Sequence, residues 1–413
     1  MNQPFRLLRI LIAGCFLVLG VASHTVAAEP PIRIGFVGDF SAVTQSYTRN
    51  AFAAAEMAVQ EINEQGGLLG RSVELLHRDG GIDPDNHYRH VTELARDQGV
   101  VAVFGGGPTP TVLAASKASR EQEVPYLVSL GNPQSVIVEH GHPFVFMFGP
   151  NHRMESLGFS IFTTLMPWKR YAWIGPDYAW GREVMGYFRE YFEALGTPIQ
   201  WTAEVWHPLG TTDYEDGIQR IIASKPDALI VATWGEDLRH FLPEAQKNDL
   251  FGKMAAFGWF SIIPGNDARL LPEGIWEISR GPFHYLASKY PQTKAFVERY
   301  KRRTGTFPLE FTIGCYDSLH AWSEAVSRTG SADPVTIAHA LKGITFVGLR
   351  GESRIRAIDG QLNSPVYFGR LTYTPEYPAG VLESVIEIPP EKVWLSEREV
   401  EARRRNASVS PGK

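Results

Sequence analysis

The stretch of this sequence best suited to bind an anion is a glycine-rich loop followed by threonine and proline. An apolar run at 100–104 predicts a buried strand, and glycines 105–107 follow it directly. Thr109 before Pro110 is typical of a helix start, with a hydroxyl N-cap and a proline whose missing N–H costs nothing in the first turn. Free backbone N–H groups and the helix dipole at such a terminus favour a carboxylate.

A second loop of the same kind follows the next predicted strand. A helix expected at about 111–121 leads to the run 124–129, which predicts another buried strand, and Leu130, Gly131 and Asn132 begin its exit loop. This order of strand, loop, helix and strand predicts parallel strands whose exit loops open on one edge of the sheet. Ligands of open α/β sheets bind in the crevice at that edge.

Tryptophans mark the opposite wall of such a crevice. Seven of the ten tryptophans fall between residues 168 and 259. Trp173 lies in the middle of a predicted strand and is expected in the core, whereas Trp180, Trp234 and Trp259 lie at or just past predicted strand ends. Three indoles at the crevice edge indicate an apolar or aromatic-lined pocket, and ordinary packing beneath the loops is the alternative.

The sequence contains no recognisable catalytic apparatus. It has no nucleophile elbow, no phosphate-binding Walker loop and no zinc-type His/Glu spacing. Glycines 105–107 lack the spacing of a dinucleotide fingerprint, and the kinase-like tripeptide at 77–79 stands without any other kinase signature. We therefore predict a binding protein that is not an enzyme and that requires no cofactor or metal.

The order of predicted elements indicates two similar α/β halves. Strands and helices alternate from 32 to about 150, and a second alternating series runs from 170 to 279. Helices are expected at 292–304, 309–328 and 334–341, followed by a late strand at 367–373. The fold class predicted is α/β, with two doubly wound parallel-sheet lobes. The charged end, 391–413, is expected to be a solvated, partly disordered tail.

The amino terminus predicts export. Arg6 and Arg9 precede an apolar run at 10–21, and Val26-Ala27-Ala28 offers a small-residue cleavage site before Glu29. The apolar run is about 12 residues long, too short to span a bilayer. We expect residues 1–28 to be a signal peptide and the mature chain to be soluble in the periplasm.

A lipid anchor is the alternative at this terminus. Residues 11–15 resemble a lipobox, which would make Cys15 a lipidated first residue. The apolar run continues past Cys15, whereas a lipobox normally closes it. Cys315 would be the single cysteine of the mature chain and is expected to be a buried apolar residue.

The charge balance excludes two classes of partner. Loss of the leader with its two arginines would change the net charge from −5 to −7. A mildly acidic, evenly mixed surface argues against nucleic acid or an anionic membrane as the partner.

Several motifs in order give the chain a resemblance to a known family. They are the segment 54–63 followed by Gly66-Gly67 and Gly70, the Asp83-Pro84 step, and the segment 176–181, which reads Pro-Asp-Tyr-Ala-Trp-Gly. From Ile32 to about Tyr373 the chain resembles type I periplasmic solute-binding proteins of ABC transporters, in the branched-chain amino acid (Leu/Ile/Val)-binding family. The resemblance implies two lobes joined by a three-crossover hinge, which close on a small solute and deliver it to the permease subunits of the transporter.

This resemblance also implies lobe boundaries and an oligomeric state. Lobe 1 would comprise 29–148 with 279–350, and lobe 2 would comprise 149–278 with 351–390. The hinge crossovers would lie near 148–150, 275–279 and Gly351–Arg354. The protein is expected to be a monomer.

The family's binding site falls on positions that match residue by residue. Aromatic walls match Tyr47 and Phe311 in one half and Trp180 and Trp234 in the other. The groups that grip a ligand carboxylate match two loops. Two aromatic residues after a second-half strand stand where amino acid binders of the family carry an acid, and we expect them to form a further wall. These remaining positions are Gly107, Pro108 and Thr109, then Leu130, Gly131 and Asn132, and then Trp259 and Phe260.

One departure from the family bears on the solute. The acid that holds the ammonium of an amino acid ligand should fall near Trp259, and no acid is there. A buried ammonium without a counter-charge costs several kcal/mol, and an indole face returns only about 1–2 kcal/mol. Asp177 or Glu236 could substitute from adjacent loops.

We therefore expect an apolar or aromatic carboxylate as the solute. Two alternatives stay open, namely a branched-chain or aromatic amino acid carried by the same class of transporter, and a periplasmic ligand sensor that partners a membrane receptor.

Overall fold

The structure is a computed structural model that describes residues 29–196, 198–260 and 270–409. The expected signal peptide, with Cys15, lies outside these residues. In the part of the chain described, no helix combines the length and the apolar character needed to cross a membrane.

The first sheet is doubly wound and entirely parallel. Its strands are β1 (Ile32–Gly38), β2 (Val73–Asp79), β3 (Val103–Gly106), β4 (Tyr126–Leu130) and β5 (Val145–Met147). Their order in the sheet is β2-β1-β3-β4-β5, so the strand order reverses beside β1 and opens a crevice there. The helices between them are α1 (Gln45–Glu64), α2 (Pro84–Gln98), α3 (Thr109–Glu121) and the short α4 (Gln134–Ile137).

Local sequence explains these elements. Every residue of β1 except Arg33 is buried, as expected for a parallel strand covered on both faces. The carboxylate of Asp83 caps α2 by accepting from the Asp85 amide, Pro84 stands in the first turn, and Gly99 ends the helix in the left-handed conformation.

The second sheet repeats the first and adds an antiparallel pair. Its strands are β6 (Arg170–Pro176), β7 (Gln200–His207), β8 (Ala228–Val231), β9 (Ala255–Gly258), β10 (Trp276–Ser279), β13 (Val366–Thr374) and β14 (Tyr377–Ile388). The order is β14-β13-β10-β9-β8-β6-β7, with β13 and β14 antiparallel to their neighbours. Its helices are α5 (His152–Thr163), α6 (Ala179–Ala194), α7 (Glu215–Ser224), α8 (Gly235–Lys247) and α9 (Leu250–Lys253). The predicted fold class is confirmed, although β14 was not foreseen.

After β10 the chain returns to the first sheet. The returning elements are α10 (Phe283–Lys289), α11 (Pro291–Thr304), α12 (Glu310–Thr329), α13 (Pro334–Leu341), β11 (Thr345–Gly348) and β12 (Gly351–Arg354). Helix α12 packs against α1 and β4. The third crossover lies later than Gly351–Arg354, because those residues form a hairpin with β11 and Gln361 still bridges to Met147, the last residue of β5. The chain enters the second sheet only at Val366.

Most of the carboxyl-terminal segment, up to Val409, forms regular structure, which corrects the expectation of a solvated, partly disordered tail over that part of 391–413. A short 3-10 turn at Pro390–Lys392 precedes α14 (Glu397–Val409). Val400 is fully buried among first-lobe side chains, and Arg404 donates to the carbonyl oxygens of Ile137 and Val138. The physical reason is that α14 presents this apolar residue and its arginines toward the first lobe, leaving Glu401 exposed.

Candidate functional site

A cavity lies between the two lobes, at the carboxyl ends of strands from both sheets. The cavity has a volume of about 60 Å³. One water requires roughly 10–15 Å³ on the same measure, so the cavity holds several. The lining residues are Thr44, Tyr47, Thr48, Gly107, Pro108, Thr109, Leu130, Gly131, Asn132, Tyr178, Trp180, Trp234, Trp259, Arg280 and Phe311. The space is therefore suited to a small, mostly apolar solute.

Eleven of the twelve residues singled out in the sequence line this cavity, and Phe260 does not. Phe260 is buried instead in the second-lobe core, 6.4 Å from the Phe251 ring. Its placement on the cavity wall was wrong, because successive side chains of an extended segment point to opposite sides. Trp259 takes the cavity side. That the eleven bind a solute stays a prediction.

The first-lobe wall contains an unsatisfied hydroxyl. Helix α3 begins at Thr109, with Pro108 as its N-cap, so Thr109 is the first helical residue rather than the cap that the sequence suggested. Its Oγ1 is buried without a hydrogen-bond partner among the residues that the structure describes. A buried hydroxyl at a helix N-terminus, facing a cavity, is placed to donate to an anionic oxygen.

The loop after β4 packs directly on the loop after β3. Gly131 has φ +76°, and a Cβ at that position would meet the carbonyl oxygen of Gly107. Only glycine fits this backbone conformation and close approach without strain. The two loops are thereby held side by side along one wall of the cavity.

Aromatic rings form the other walls and join the lobes. Tyr47, on the first turn of α1, lies 5.6 Å from Phe311 and 6.3 Å from Trp234 across the cleft, between ring centroids. Trp180 lies 6.4 Å from Trp234 and 5.3 Å from Trp259, edge to face in both pairs. Trp180 and Trp259 are 6% and 1% exposed, and the contact between Tyr47 and Trp234 brings the two lobes together over the cavity.

Arg280 is the charged residue that sequence reasoning missed. It follows β10 directly and is 6% exposed, and its guanidinium carbon lies 4.5 Å from the centroid of the Phe311 ring. Nε and Nη2 donate to the two carboxylate oxygens of Glu155 at 2.5 and 3.1 Å, and Nη1 donates to Glu310 at 3.1 Å. Burial opposes the charge of Arg280, but these two carboxylates outweigh it and raise the pKa of the guanidinium.

Glu155 connects this ion cluster to both lobes. Its Oε2 accepts from the side-chain amide of Asn132 at 2.9 Å and from the indole N–H of Trp259 at 3.4 Å. Asn132 also donates to the carbonyl of Pro150 at the first crossover. The Asn132 amide therefore contacts protein groups at the hinge.

Glu310 completes the cluster from the first turn of α12. Its Oε2 accepts from the Arg280 backbone N–H at 2.9 Å. Burial raises the pKa of the Glu310 carboxyl above its ordinary value, against the opposing charge of Arg280. Glu310 and Glu155 stand behind the guanidinium, and neither lines the cavity.

The two acids considered as partners for an ammonium do not line the cavity either. Asp177 is about half exposed and pairs with Arg182 at 2.7 Å. Glu236 pairs with Arg239 at 3.7 Å, with about a third of its side chain exposed.

Four lining residues were not foreseen: Thr44, Thr48, Tyr178 and Arg280. Tyr178 lies inside the segment 176–181 that was already singled out. The signal for Arg280 was its position, since it follows a predicted strand end at the same sheet edge as the three tryptophans.

The fold and the cavity define the class of protein. Two doubly wound lobes, joined by several crossovers and closed over a solute-sized cavity, are the architecture of a solute-binding receptor. The chain belongs to the periplasmic binding protein family, whose model matches residues 31–375. Members of this family are solute-binding proteins of ABC transporters rather than enzymes, with a small-molecule ligand and an ABC permease as partner.

Individual relatives agree with the family. Leu/Ile/Val-binding protein homolog 8 of Brucella abortus (strain 2308) is 25% identical over 359 residues, covering 82% of this chain and 87% of that protein. A solute-binding protein of an ABC transporter from Rhodopseudomonas palustris BisB5, solved in complex with 3,4-dihydroxybenzoic acid, superposes with a TM-score of 0.78 at 20% identity, covering 87% of this chain and 98% of that chain. An amino acid ABC transporter substrate-binding protein from Pseudomonas fluorescens Pf-5 gives 0.78 at 20% identity, covering 92% and 99%.

Proposed function

We propose that this receptor binds a small apolar or aromatic carboxylate that has no amino group. The observation that carries the proposal is the charge on the cavity wall. Among the lining residues of the described chain, the one charged side chain is the cation Arg280, and the acids nearby stand behind it. The remaining walls are aromatic, small or hydroxyl-bearing.

This arrangement favours an acid over its amino acid. A solute carboxylate can accept from the Thr109 hydroxyl, from backbone N–H groups at the start of α3 and from the guanidinium. An α-ammonium in the same cavity meets a guanidinium and aromatic faces, with no carboxylate in direct contact. Aromatic faces attract a desolvated cation by about 2 kcal/mol, which is less than the cost of burying an unpaired ammonium.

One solved relative supports the proposed solute class. The R. palustris BisB5 protein is described in complex with 3,4-dihydroxybenzoic acid, which is an aromatic carboxylate. The cavity of this chain, with its six aromatic side chains, suits a flat ring by stacking and edge contacts.

An amino acid is the second candidate. The observation that favours it is that two carboxylates share the single guanidinium of Arg280, which leaves one negative charge close to the cavity. The Brucella relative named for leucine, isoleucine and valine belongs with this alternative. Binding of an amino acid requires its ammonium group to pass Arg280 and approach the carboxylates of Glu155 and Glu310.

Export and molecular state belong to the same proposal. We infer that residues 1–28 are removed as a signal peptide and that the mature protein is a soluble periplasmic monomer with the two lobes set out above. Intact mass of the exported protein tests the first part, with a chain starting at Glu29 expected and a lipidated Cys15 against it. Permease and ATPase genes beside this gene would favour transport over a role as partner of a membrane sensor.

A thermal-shift screen of carboxylates and amino acids tests the proposed solute class. Ligands stabilise a receptor in proportion to the logarithm of concentration over Kd. Aromatic and branched carboxylates are expected to raise the unfolding temperature, and their α-amino counterparts are expected to raise it less. A screen in which only amino acids stabilise the protein would replace the first candidate with the second.

A further inference from the structure

The ion cluster at the cavity has more negative than positive charge. Glu155, Arg280 and Glu310 are 0%, 6% and 4% exposed, so water screens them weakly. With both acids ionised, the cluster carries two carboxylates and one guanidinium. A carboxylate solute would bring a third negative charge to the same guanidinium.

Arg280 can accept that solute only by sharing its charge further. Three of its donor contacts already go to Glu155 and Glu310, and the guanidinium keeps N–H groups to spare for a third acceptor. Three buried carboxylates around one cation repel one another, and such sets commonly hold a proton between them.

The two glutamates differ in how firmly the protein holds their charge. Glu155 takes two guanidinium N–H groups, the Asn132 amide and the Trp259 indole. Glu310 takes fewer, namely one guanidinium N–H, the Arg280 backbone N–H and the Ser279 hydroxyl. Hydrogen bonds to the ionised form stabilise it, so Glu310 is the carboxylate that we expect to be protonated first.

We propose that Glu310 takes up a proton when a carboxylate solute binds against Arg280. The inference rests on the proposed function, because it requires an anionic solute. Glu310 would then determine specificity: it keeps the cavity neutral enough for an acid, and it makes the affinity for acids depend on pH.

The other titratable and charged groups around Glu310 have to be considered as sites of proton uptake. From α1 the hydroxyl of Tyr47 faces it, and burial raises the pKa of that phenol well above its ordinary value. Glu155 and Arg280 face it from α5 and from the loop after β10. Arg350 shares a small cavity with Glu310 and pairs with Asp317 at 3.5 Å. Burial raises the pKa of Asp317 to about 6, so Asp317 is the rival source of a pH effect.

The direction of the pH effect follows from linkage. If binding raises the pKa of Glu310, the complex holds more protons than the free receptor, so affinity rises as pH falls between the two pKa values. Across that window the Kd of an acid should increase by up to about tenfold for each unit by which the pH rises. A neutral amide of the same solute should show no such dependence.

Proton uptake can be measured directly. Calorimetric titration of the mature protein with benzoate, phenylacetate and 3-methylbutanoate, in two buffers of different ionisation enthalpy, gives the number of protons taken up. We expect uptake approaching about one proton near neutral pH. Benzoate or another acid that binds without proton uptake would overturn this inference and leave the proposed function intact. No binding of any of the three acids from about pH 5.5 to 8.5, where they stay ionised, would overturn both.

Variants assign the proton. Glu310→Gln should abolish uptake and flatten the pH profile, with an affinity at neutral pH close to that of the unsubstituted protein at low pH. Asp317→Asn is the matched control and should leave uptake unchanged. Uptake that survives Glu310→Gln and disappears in Asp317→Asn would contradict the assignment. If Glu310→Gln does not fold, the wild-type uptake and the Asp317→Asn control still decide the proposal.

Discussion

At the scale of single residues, buried hydroxyls and one cation distinguish the cavity from an ordinary aromatic core. Thr109, like Tyr47 and Thr48, contributes a buried hydroxyl without a partner among the described residues, and Arg280 contributes a buried cation fixed by two carboxylates. Buried polar groups in native proteins are nearly always hydrogen-bonded. We propose that the hydroxyl of Thr109, which lines the cavity, donates to the solute.

Replacing that hydroxyl tests its role. Thr109→Val keeps the shape of the side chain, and it should weaken the binding of a carboxylate by about 1.5–3 kcal/mol, the range for a hydrogen bond to a charged group. The affinity for a neutral amide should change less. Calorimetry measures both effects, with Thr92→Val as the control. Thr92 lies on α2, away from the cavity, and its hydroxyl donates to the Tyr88 carbonyl of the same helix. Equal losses for acid and amide would argue against a carboxylate at Thr109.

Removing the cation should cost stability as well as binding. Arg280→Met leaves Glu155 and Glu310 buried without a counter-charge, and breaking such a pair typically costs about 3–5 kcal/mol. Adding Glu310→Gln to Arg280→Met should restore part of the loss, because one of the two uncompensated charges is gone. Thermal unfolding of the single and the double variant shows whether the double variant is the more stable of the two. A single variant as stable as the unsubstituted protein would show that the cluster contributes little.

Sequence reasoning could locate most of the cavity but not its charge. The rule that ligands meet the carboxyl ends of parallel strands placed Thr109, Gly131 and Trp234 at the cavity. The same rule applied to Arg280, yet an arginine in a loop is usually a solvated residue, and only tertiary contacts with Glu155 and Glu310 bury it. Phe260 is the opposite kind of error, a residue placed at the cavity that lies elsewhere. Its sequence pattern did not say which of two adjacent aromatic residues, Trp259 or Phe260, faces the cleft.

At the scale of elements, regular patterns were predictable and edge elements were not. Helix α13 and strand β1 follow from capping residues and apolar runs. Strand β14 is not fully apolar and pairs only with β13 at the edge of the second sheet, so its sequence resembles a loop. Helix α14 is rich in charge, and its buried face contains few apolar residues, which is why composition suggested a solvated tail.

The carboxyl-terminal helix should stabilise the molecule. Val400→Asp places a charge in the first-lobe core, which should release α14 and cost several kcal/mol. Limited proteolysis should then cut the segment between β14 and α14, and the unfolding temperature should fall. Glu401→Gln, on the exposed side of the same helix, serves as control and should change neither. Protease resistance equal to the control would mean that α14 does not depend on this contact.

At the scale of the whole molecule, function requires the lobes to move. Tyr47 of one lobe faces Trp234 of the other across the cleft, so we expect a solute to enter when the lobes separate. A ligand shifts this equilibrium by its differential affinity for the closed form, to which both lobes contribute contacts. The hinge contains the Glu155 cluster, which connects the cavity wall to the crossovers.

Small-angle scattering tests this motion. The ligand-free receptor should have a larger radius of gyration than the closed form, and a saturating carboxylate should reduce it. The neutral amide at a concentration that leaves its site mostly empty provides the control. An unchanged radius of gyration at saturation would contradict a receptor that signals its loaded state by closing.

The most direct measurement of the central claim compares solutes that differ in one group. Calorimetric titration with 3-phenylpropanoate, phenylalanine and 3-phenylpropanamide separates the carboxylate from the amine, and 4-methylpentanoate, leucine and 4-methylpentanamide repeat the comparison with a branched chain. We expect the acid to bind best and the amide to lose at least about tenfold, or about 1.4 kcal/mol. The amino acid should bind more weakly than the acid, because Arg280 rather than a carboxylate faces the cavity. Tight binding of phenylalanine or leucine, with no binding of the matching acid, would contradict the account.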